Sequence, residues 1–171
     1  GHTDTTPWGD SFLRSIIKNP DWKIVYINED AIILVKNNNK NSAVISKFSI
    51  TEKNVVDRIN EVRSNIVLSR VLYNISWREA SVHFAEEAIR QDPTNPRAYL
   101  YKGLVHAYYT DRKNQELAEE NIKKAIDLGL KDSQYHGILG VIYMNLGRFE
   151  SARGSFKEAV RIDKSNTQAR E

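Results

Sequence analysis

The side chains in this chain that could carry chemistry are few and scattered. Beyond His2 there are three histidines, His83, His106 and His136. No two of them stand at the i, i+4 spacing with which a helix offers two imidazoles to zinc. His106 and His136 fall where helical patterns place packing aromatics, and His83, beside Phe84, is expected to be exposed. Acid–base chemistry needs two carboxylates converging in a cleft. The adjacent pairs Glu86–Glu87 and Glu119–Glu120 instead sit on helical stretches whose other face is apolar, so they are expected to be solvated. There is no cysteine, which excludes disulfides, thiolate zinc sites and thiol nucleophiles. No Gly-x-Ser-x-Gly elbow and no Gly-rich phosphate loop occurs, and Gly137 and Gly140 lie inside a helical pattern. Asn74-Ile75-Ser76 fits the short acceptor pattern for N-glycosylation. The expectation is no catalytic residue, no metal and no cofactor.

The bulk composition narrows the classes further. With 171 residues, 40% hydrophobic and 27% charged, the chain is long and apolar enough for one or two small domains with a real core. The net charge is +3, with Lys and Arg interleaved with Asp and Glu along the helical stretches. A nucleic-acid surface needs clustered basic charge, so no nucleic-acid partner is expected. The longest apolar run, Ala31 to Val35, is far too short to insert into a bilayer. Gly1-His2 has the look of a remnant of a cleaved tag.

The elements that would position any site are clearest between Ser133 and Asn166. This stretch reads as two short amphipathic helices around the turn Asn145-Leu146-Gly147-Arg148, with Gly147 free to take the left-handed conformation that ends a helix. The first helix carries Leu139-Gly140 and Tyr143; the second carries Ala152, Phe156 and Ala159. Gly140 and Ala152 let two helix backbones approach, while Tyr143 and Phe156 fill the space beside them. This stretch resembles the tetratricopeptide repeat, a motif of about thirty-four residues with the pattern W-x2-L-G-x2-Y…A-x3-F…P. His136 stands at the motif's Trp and Lys164 at its Pro.

Two further repeats precede it, giving spans 62–95, 96–132 and 133–166. In the second, Pro96 starts a helix with Tyr99, Gly103, Ala107 and Tyr108. Ala118, Ile122, Ala125 and Leu128 follow on its partner, and Gly129 ends that partner. The turn between them, Thr110 to Gln115, is about three residues longer than the motif's. In the first, one long helix is expected from Thr51, its N-cap, through Val55, Ile59, Val62 and Ile66 to about Ile75. Its partner carries Trp77, Ala80, Phe84 and Ala88. Ala88 comes one residue late against the motif, which suggests a local bulge. Beyond Asn166 another helix starts and is cut short.

The first fifty residues differ in period. Asp10-Ser11 would cap a helix through Phe12, Leu13, Ile16 and Ile17 that Asn19-Pro20 ends. WKIVYI and AIILVK, separated by Asn28-Glu29-Asp30, read as a β-hairpin. Asn37–Asn41 is a polar loop, and Ser42–Phe48 fits either a short helix or a third strand. The expected organisation is a small α/β segment over 1–50 and helical repeats over 51–171, a mainly α solenoid of three helix pairs. The order helix, Asn-Pro-Asp-Trp, Val-Tyr, acidic turn, Ala-x-Ile-Leu-Val-Lys over about residues 10–50 also resembles the extracytoplasmic tail of polytopic membrane glycosyltransferases of the dolichyl-phosphate-mannose mannosyltransferase type. That resemblance implies an extracytoplasmic accessory domain, with catalysis in another part of a larger protein. A hairpin that merely packs against the repeats explains the same residues.

Resemblance to the tetratricopeptide repeat implies that the first helix of each pair lines a concave surface. Projected onto this chain, that surface carries Arg63, Ile66, Arg70 and Tyr73; then Arg97, Leu100, Tyr101, Leu104 and Tyr108; then Gln134, Val141, Met144 and Asn145. Of these Arg63, Arg70, Arg97, Tyr101, Leu104, Tyr108, Val141 and Asn145 are the expected partner-binding residues. Some members of the family grip a C-terminal carboxylate with a Lys and an Asn one turn apart. This chain has Ile66 with Arg70 and Leu100 with Leu104 there, which disfavours a chaperone tail. The expected function is a non-catalytic module that binds a protein or peptide partner, with self-association through an uncapped repeat end as a further possibility. The chain's own N-terminal segment filling the groove is the competing reading.

Overall fold

The computed structural model describes residues 7–59 and 62–163. Packing divides the chain into two compact units, Gly1–Phe84 and Ala85–Glu171, with the boundary inside one helix.

The first unit opens with α1 (Pro7–Lys18), which starts three residues before the expected cap at Asp10-Ser11. Proline is well suited to an opening helical position, since its missing N–H needs no partner there. Leu13 and Ile17 of this helix pack on the unit's core. Strands β1 (Trp22–Ile27) and β2 (Ile32–Lys36) form the antiparallel hairpin, in register from Trp22 opposite Lys36 to Ile27 opposite Ile32. A register shift between Ile24 and Tyr26 allows Ile24 and Ile27, three residues apart, both to be buried. Ser42–Phe48 is helical (α2), and the N–H of Ile50 just beyond it donates to the Ile24 carbonyl at 2.8 Å.

The single helix expected from Thr51 to Ile75 is instead two. A one-turn helix, α3 (Val55–Arg58), ends at Ile59 in extended backbone, and α4 runs Asn65–Asn74. Thr51 is no cap; its N–H donates to the Asn54 Oδ1. The new start is built from side chains. Ser64 caps α4 by accepting from the Val67 N–H. Glu29, in the hairpin turn, accepts from the N–H groups of Arg63 and Ser64, the latter at 2.8 Å, and Asp30 pairs with the Arg63 guanidinium. Apolar periodicity ran on through this break because Val62 and Ile59 still pack on the same core.

α4 and α5 (Arg78–Gln91) form the first helix pair. Ser69 and Ser81 are fully buried between them, each hydroxyl donating to the other's carbonyl at 2.9 Å. No bulge interrupts α5. Aligning the turns explains the apparent irregularity. Ser76 occupies the place of Gly147, so Ser69, Ser81, Ala85 and Ala88 stand where Gly140, Ala152, Phe156 and Ala159 stand in the last pair. Ala80 and Phe84 are buried core residues, one register position away from the motif's Ala and Phe.

The second unit contains α6 (Pro96–Ala107), α7 (Arg112–Asp127), α8 (Ser133–Asn145) and α9 (Phe149–Ile162), packed in sequence as α6 on α7, α7 on α8 and α8 on α9. Asn95, Asp111 and Asp132 cap the first three, accepting from the N–H groups of Arg97, Asn114 and Gln134. A Cβ on Gly103 would lie 2.7 Å from Ile122, and one on Gly140 would overlap the Phe156 ring. Ala118, Ile122, Leu139 and Ile142 form the buried centre.

Three helix ends share one geometry. The N–H of Trp77, Leu130 and Arg148 reaches back to the carbonyl of Leu72, Ala125 and Tyr143, with Ser76, Gly129 and Gly147 at positive φ. Ser76, at φ 67°, is the one residue of the three with a Cβ to strain. The expected outcome for Ser76→Gly is a gain of up to about 1 kcal/mol, the relief of left-handed strain net of extra unfolded-chain entropy. A melting temperature below the parent's would contradict it. Gly140→Ala is expected to cost about 1–3 kcal/mol by overpacking, and unchanged denaturant unfolding would show that the Phe156 ring yields freely.

Glu29 gives a pH signature. Partial burial opposes its charge, but hydrogen bonds from its own, Ser64's and Arg63's backbone and the Arg63 charge together hold its carboxyl below the ordinary glutamate value. A depressed folded value means the clasp's stability is present above the ordinary value and is lost as pH falls through the depressed one. Glu29→Gln should therefore lose less stability than the parent in urea titrations between neutral pH and about pH 3; parallel losses would remove Glu29 as the titrating group.

Candidate interaction face

α6 and α8 both pack on α7. At the N-terminal ends Arg97 is close enough to Tyr135 for its charge to bear on the phenol, and at the C-terminal ends a polar network joins the two helices. The centre of that network is Gln115 of α7, 1% exposed. Its Nε2 donates to the carbonyls of Tyr109 and Ala107, and its Oε1 accepts from the Asn145 Nδ2 at 3.0 Å. A buried amide is costly unless its donors and acceptor are satisfied, and here both groups are used. The loop after α6 is thereby held against the end of α8. It carries Tyr108 and Tyr109, whose rings meet edge to face at 5.5 Å.

On this face several large apolar side chains remain exposed: Tyr108 at 63%, Met144 at 49%, Val141 at 46% and Tyr109 at 37%. Tyr101 and Leu104 are half-buried beside them, and Arg97 is exposed. Leu100, expected on the groove surface, is buried at 4% and belongs to the core instead, because it points to the packed side of α6. Asn145 is exposed, yet its amide donor is committed to Gln115. Arg63 and Arg70 lie in the first unit, Arg63 tied to the hairpin turn and Arg70 half-buried on α4. The Gln115 network was not anticipated. The available signal was a polar residue on the buried stripe Gln115, Ala118, Ile122, Ala125.

The chemistry-bearing residues are occupied in packing and pairing. His106 Nδ1 is 2.8 Å from Asn114 Oδ1. His83 is half-buried, its ring perpendicular to Phe84 at 5.1 Å, where exposure was expected; it stands at the edge of α5's packed face. Lys102 pairs with Glu86 at 2.8 Å, Arg90 with Glu87, and Arg148 with Glu119. Burial, with the Glu119 carboxylate and its hydrogen bond, raises the Tyr143 phenol above its ordinary value against the opposing Arg148 charge. Burial and Asp132 likewise raise Tyr135, against Arg97. Among the described residues no group of three His, Cys, Asp or Glu side chains could hold a metal ion, and no helix is long and apolar enough to cross a membrane.

Residues 133–166 match the family model for the tetratricopeptide repeat. The chain is similar to a protein O-mannosyl-transferase of Caenorhabditis elegans, 27% identical over 101 residues, covering 59% of this chain and 14% of that protein. It is also similar to DnaJ homolog subfamily C member 7 of Homo sapiens, 33% identical over 79 residues, covering 46% of this chain and 16% of that protein. The chain thus spans about one seventh of the length of these curated relatives. Among solved structures it resembles the TPR domain of Arabidopsis OM64 (TM-score 0.55, 20% identity, 60% of this chain and 82% of that one). It also resembles YrrB, a TPR protein described as having an unusual peptide-binding site (TM-score 0.58, 20% identity, 69% and 59%). A third is the second TPR domain of human RPAP3, solved with an HSP70 peptide (TM-score 0.56, 19% identity, 62% and 86%). Residues 133–166 of this chain are a tetratricopeptide repeat, and its helix pairs have the fold of a tetratricopeptide-repeat protein.

Proposed function

We propose that this chain is a protein-interaction module that holds a segment of a partner along the face formed by α6 and α8. The observation that carries this reading is the exposure of Tyr108, just past the end of α6, and of Val141 and Met144 on α8. Exposed large apolar side chains cost solvation free energy, and patches of them mark surfaces that are covered in use. Tyr is also among the residue types that anchor interfaces, because it brings large area and few rotamers. Two structural neighbours support the class of partner, since one is solved with a peptide and another is described by its peptide-binding site. The groove residues of this face are Arg97, Tyr101, Leu104, Tyr108, Val141 and Asn145.

A second reading has its own support in the similarity to a protein O-mannosyl-transferase. In it the module is an accessory part of a membrane-embedded sugar transferase on the extracytoplasmic side. The chemistry resides in another part of that protein, and the repeats recruit a partner or acceptor. Phe149 and Ile162, exposed on α9, would let a second copy pack there.

Tyr108→Ala combined with Val141→Asp is expected to abolish capture of specific partners from native extract, at least a tenfold loss of bound protein, with helical circular dichroism unchanged. Equal capture by parent and variant would remove the groove as the binding surface.

A further inference from the structure

We infer that the outer edge of the hairpin is a self-association surface, on which a second copy of this chain pairs β2 with β2 about a two-fold axis at Ile33; this is independent of the groove reading. The direction of each backbone group on β2 follows from the hydrogen bonds that flank the ladder. The Ala31 carbonyl accepts from the Asn28 N–H at 3.0 Å, and the Asn37 N–H donates to the Asp21 carbonyl at 2.6 Å. Both residues therefore face β1. Backbone groups alternate along a strand, so Ile33 and Val35 face β1 as well, and Ile32, Leu34 and Lys36 face away. The extra residue at the register shift lies on β1, which leaves the alternation on β2 intact. The Lys36 carbonyl is closed by the Asn38 N–H and the Asn41 Nδ2. The N–H and C=O groups of Ile32 and Leu34 have no partner among the described residues. The helices packed on the hairpin, α1 and α2, lie against β1. The strand Ile-Ile-Leu-Val-Lys has no proline, no bulge of its own and a single charge to blunt this edge.

One register uses all of these groups. With Ile33 opposite the second copy's Ile33, Ile32 meets the copy's Leu34 and Leu34 meets its Ile32. The two pairs exchange four N–H to C=O hydrogen bonds. Asp30 then stands opposite the copy's Lys36 at both ends of the ladder. Lys36 is exposed and belongs to no ion pair among the described residues. Asp30 pairs with Arg63 of its own copy, so its carboxylate would bridge two cations, with Glu29 beside it on the turn. Sliding the copies by two residues sets the Ile32 N–H against the closed Lys36 carbonyl; sliding the other way sets Leu34 against Asp30. Ile33, at 50%, and its cross-strand neighbour Tyr26, at 45%, are both exposed on the outer face of the hairpin. In the paired form they make one row, Tyr26, Ile33, Ile33, Tyr26, and each isoleucine gains an apolar neighbour on its open side. A two-stranded sheet, marginal by itself, becomes four-stranded. The contact is small, so association is expected at high micromolar protein.

The test uses the full chain, which contains no cysteine. Sedimentation velocity from low micromolar to millimolar protein should show the mass rising from 19.7 kDa toward twice that value. Ile33→Lys changes an exposed side chain and sets like charges directly opposite each other, so it should weaken association by about tenfold or more. Lys36→Glu and Asp30→Lys should each stay monomeric, whereas an equimolar mixture of the two should form a heterodimer, a recovery that misfolding cannot produce. With oxidised glutathione, Ile33→Cys should cross-link to itself, because residues opposite each other in such a pair lie about 4.5 Å apart at Cα, within disulfide reach. Val35→Cys should not cross-link. A monomer at every concentration overturns the inference. So does a dimer that Ile33→Lys leaves unchanged, since self-association would then use another surface, and so does equal cross-linking through Val35→Cys.

Discussion

Helix pairing in this chain depends on one steric constraint. Where the two helices of a pair cross, one backbone must present almost nothing. In the last two pairs that residue is a glycine, Gly103 against Ile122 and Gly140 against Phe156, and a single added methyl group would overlap the facing side chain. In the first pair the place is held by Ser69, and the fit is kept another way. The facing residue is Ser81, and the two buried hydroxyls each donate to the opposite carbonyl. Buried serine hydroxyls are tolerated only with such partners. Close contact is thus built by two chemistries, one a glycine facing a ring and the other a pair of serines joined by hydrogen bonds.

Close pairing dictates sharp connections. Three helices end with the same backward hydrogen bond and a residue in the left-handed region, so the chain reverses within a few residues. Within the pairs, the connection between α6 and α7 is one residue longer than the other two, and there the backbone is secured by a side chain. Gln115 reaches out of α7 to the loop carbonyls and across to Asn145 on α8. On the proposed reading the arrangement links packing to function. The loop that carries Tyr108 and Tyr109 is held by the buried amide that also holds the end of α8. Aromatic side chains on such a support lose less conformational entropy when a partner binds.

Charge is arranged around this scaffold in two ways. On the outer helices acids and bases pair along and between helices, as in Arg148 with Glu119 and Arg161 with Glu158, contacts that are exposed and individually weak. In the first unit Glu29 and Asp30 of the hairpin turn grip the residues that precede α4. That grip supplies the N-terminal hydrogen-bond partners a new helix needs, and it accounts for a helix starting where the apolar periodicity alone showed no interruption.

Local pattern was enough to determine the helix pairs, the hairpin, the glycine turn at Gly147 and the close contact at Gly140. Each follows from spacing within a few residues, and hydrophobic period and backbone freedom act at that range. The same range could not reveal the break between α3 and α4, because its cause is a carboxylate more than thirty residues away. Nor could it set the register of the first pair, where Ala80 and Phe84 mimic the motif and Ser69 with Ser81 do the packing. The candidate face divides along the same line. Val141 was readable as a first-helix position, but the place of Tyr108 just past the end of α6, the burial of Leu100, the commitment of Asn145 and the role of Gln115 are decided by neighbours that only the folded chain brings together. A side chain's type and period say which face of a helix it lies on; whether that face meets solvent, core or another polar group is settled by packing.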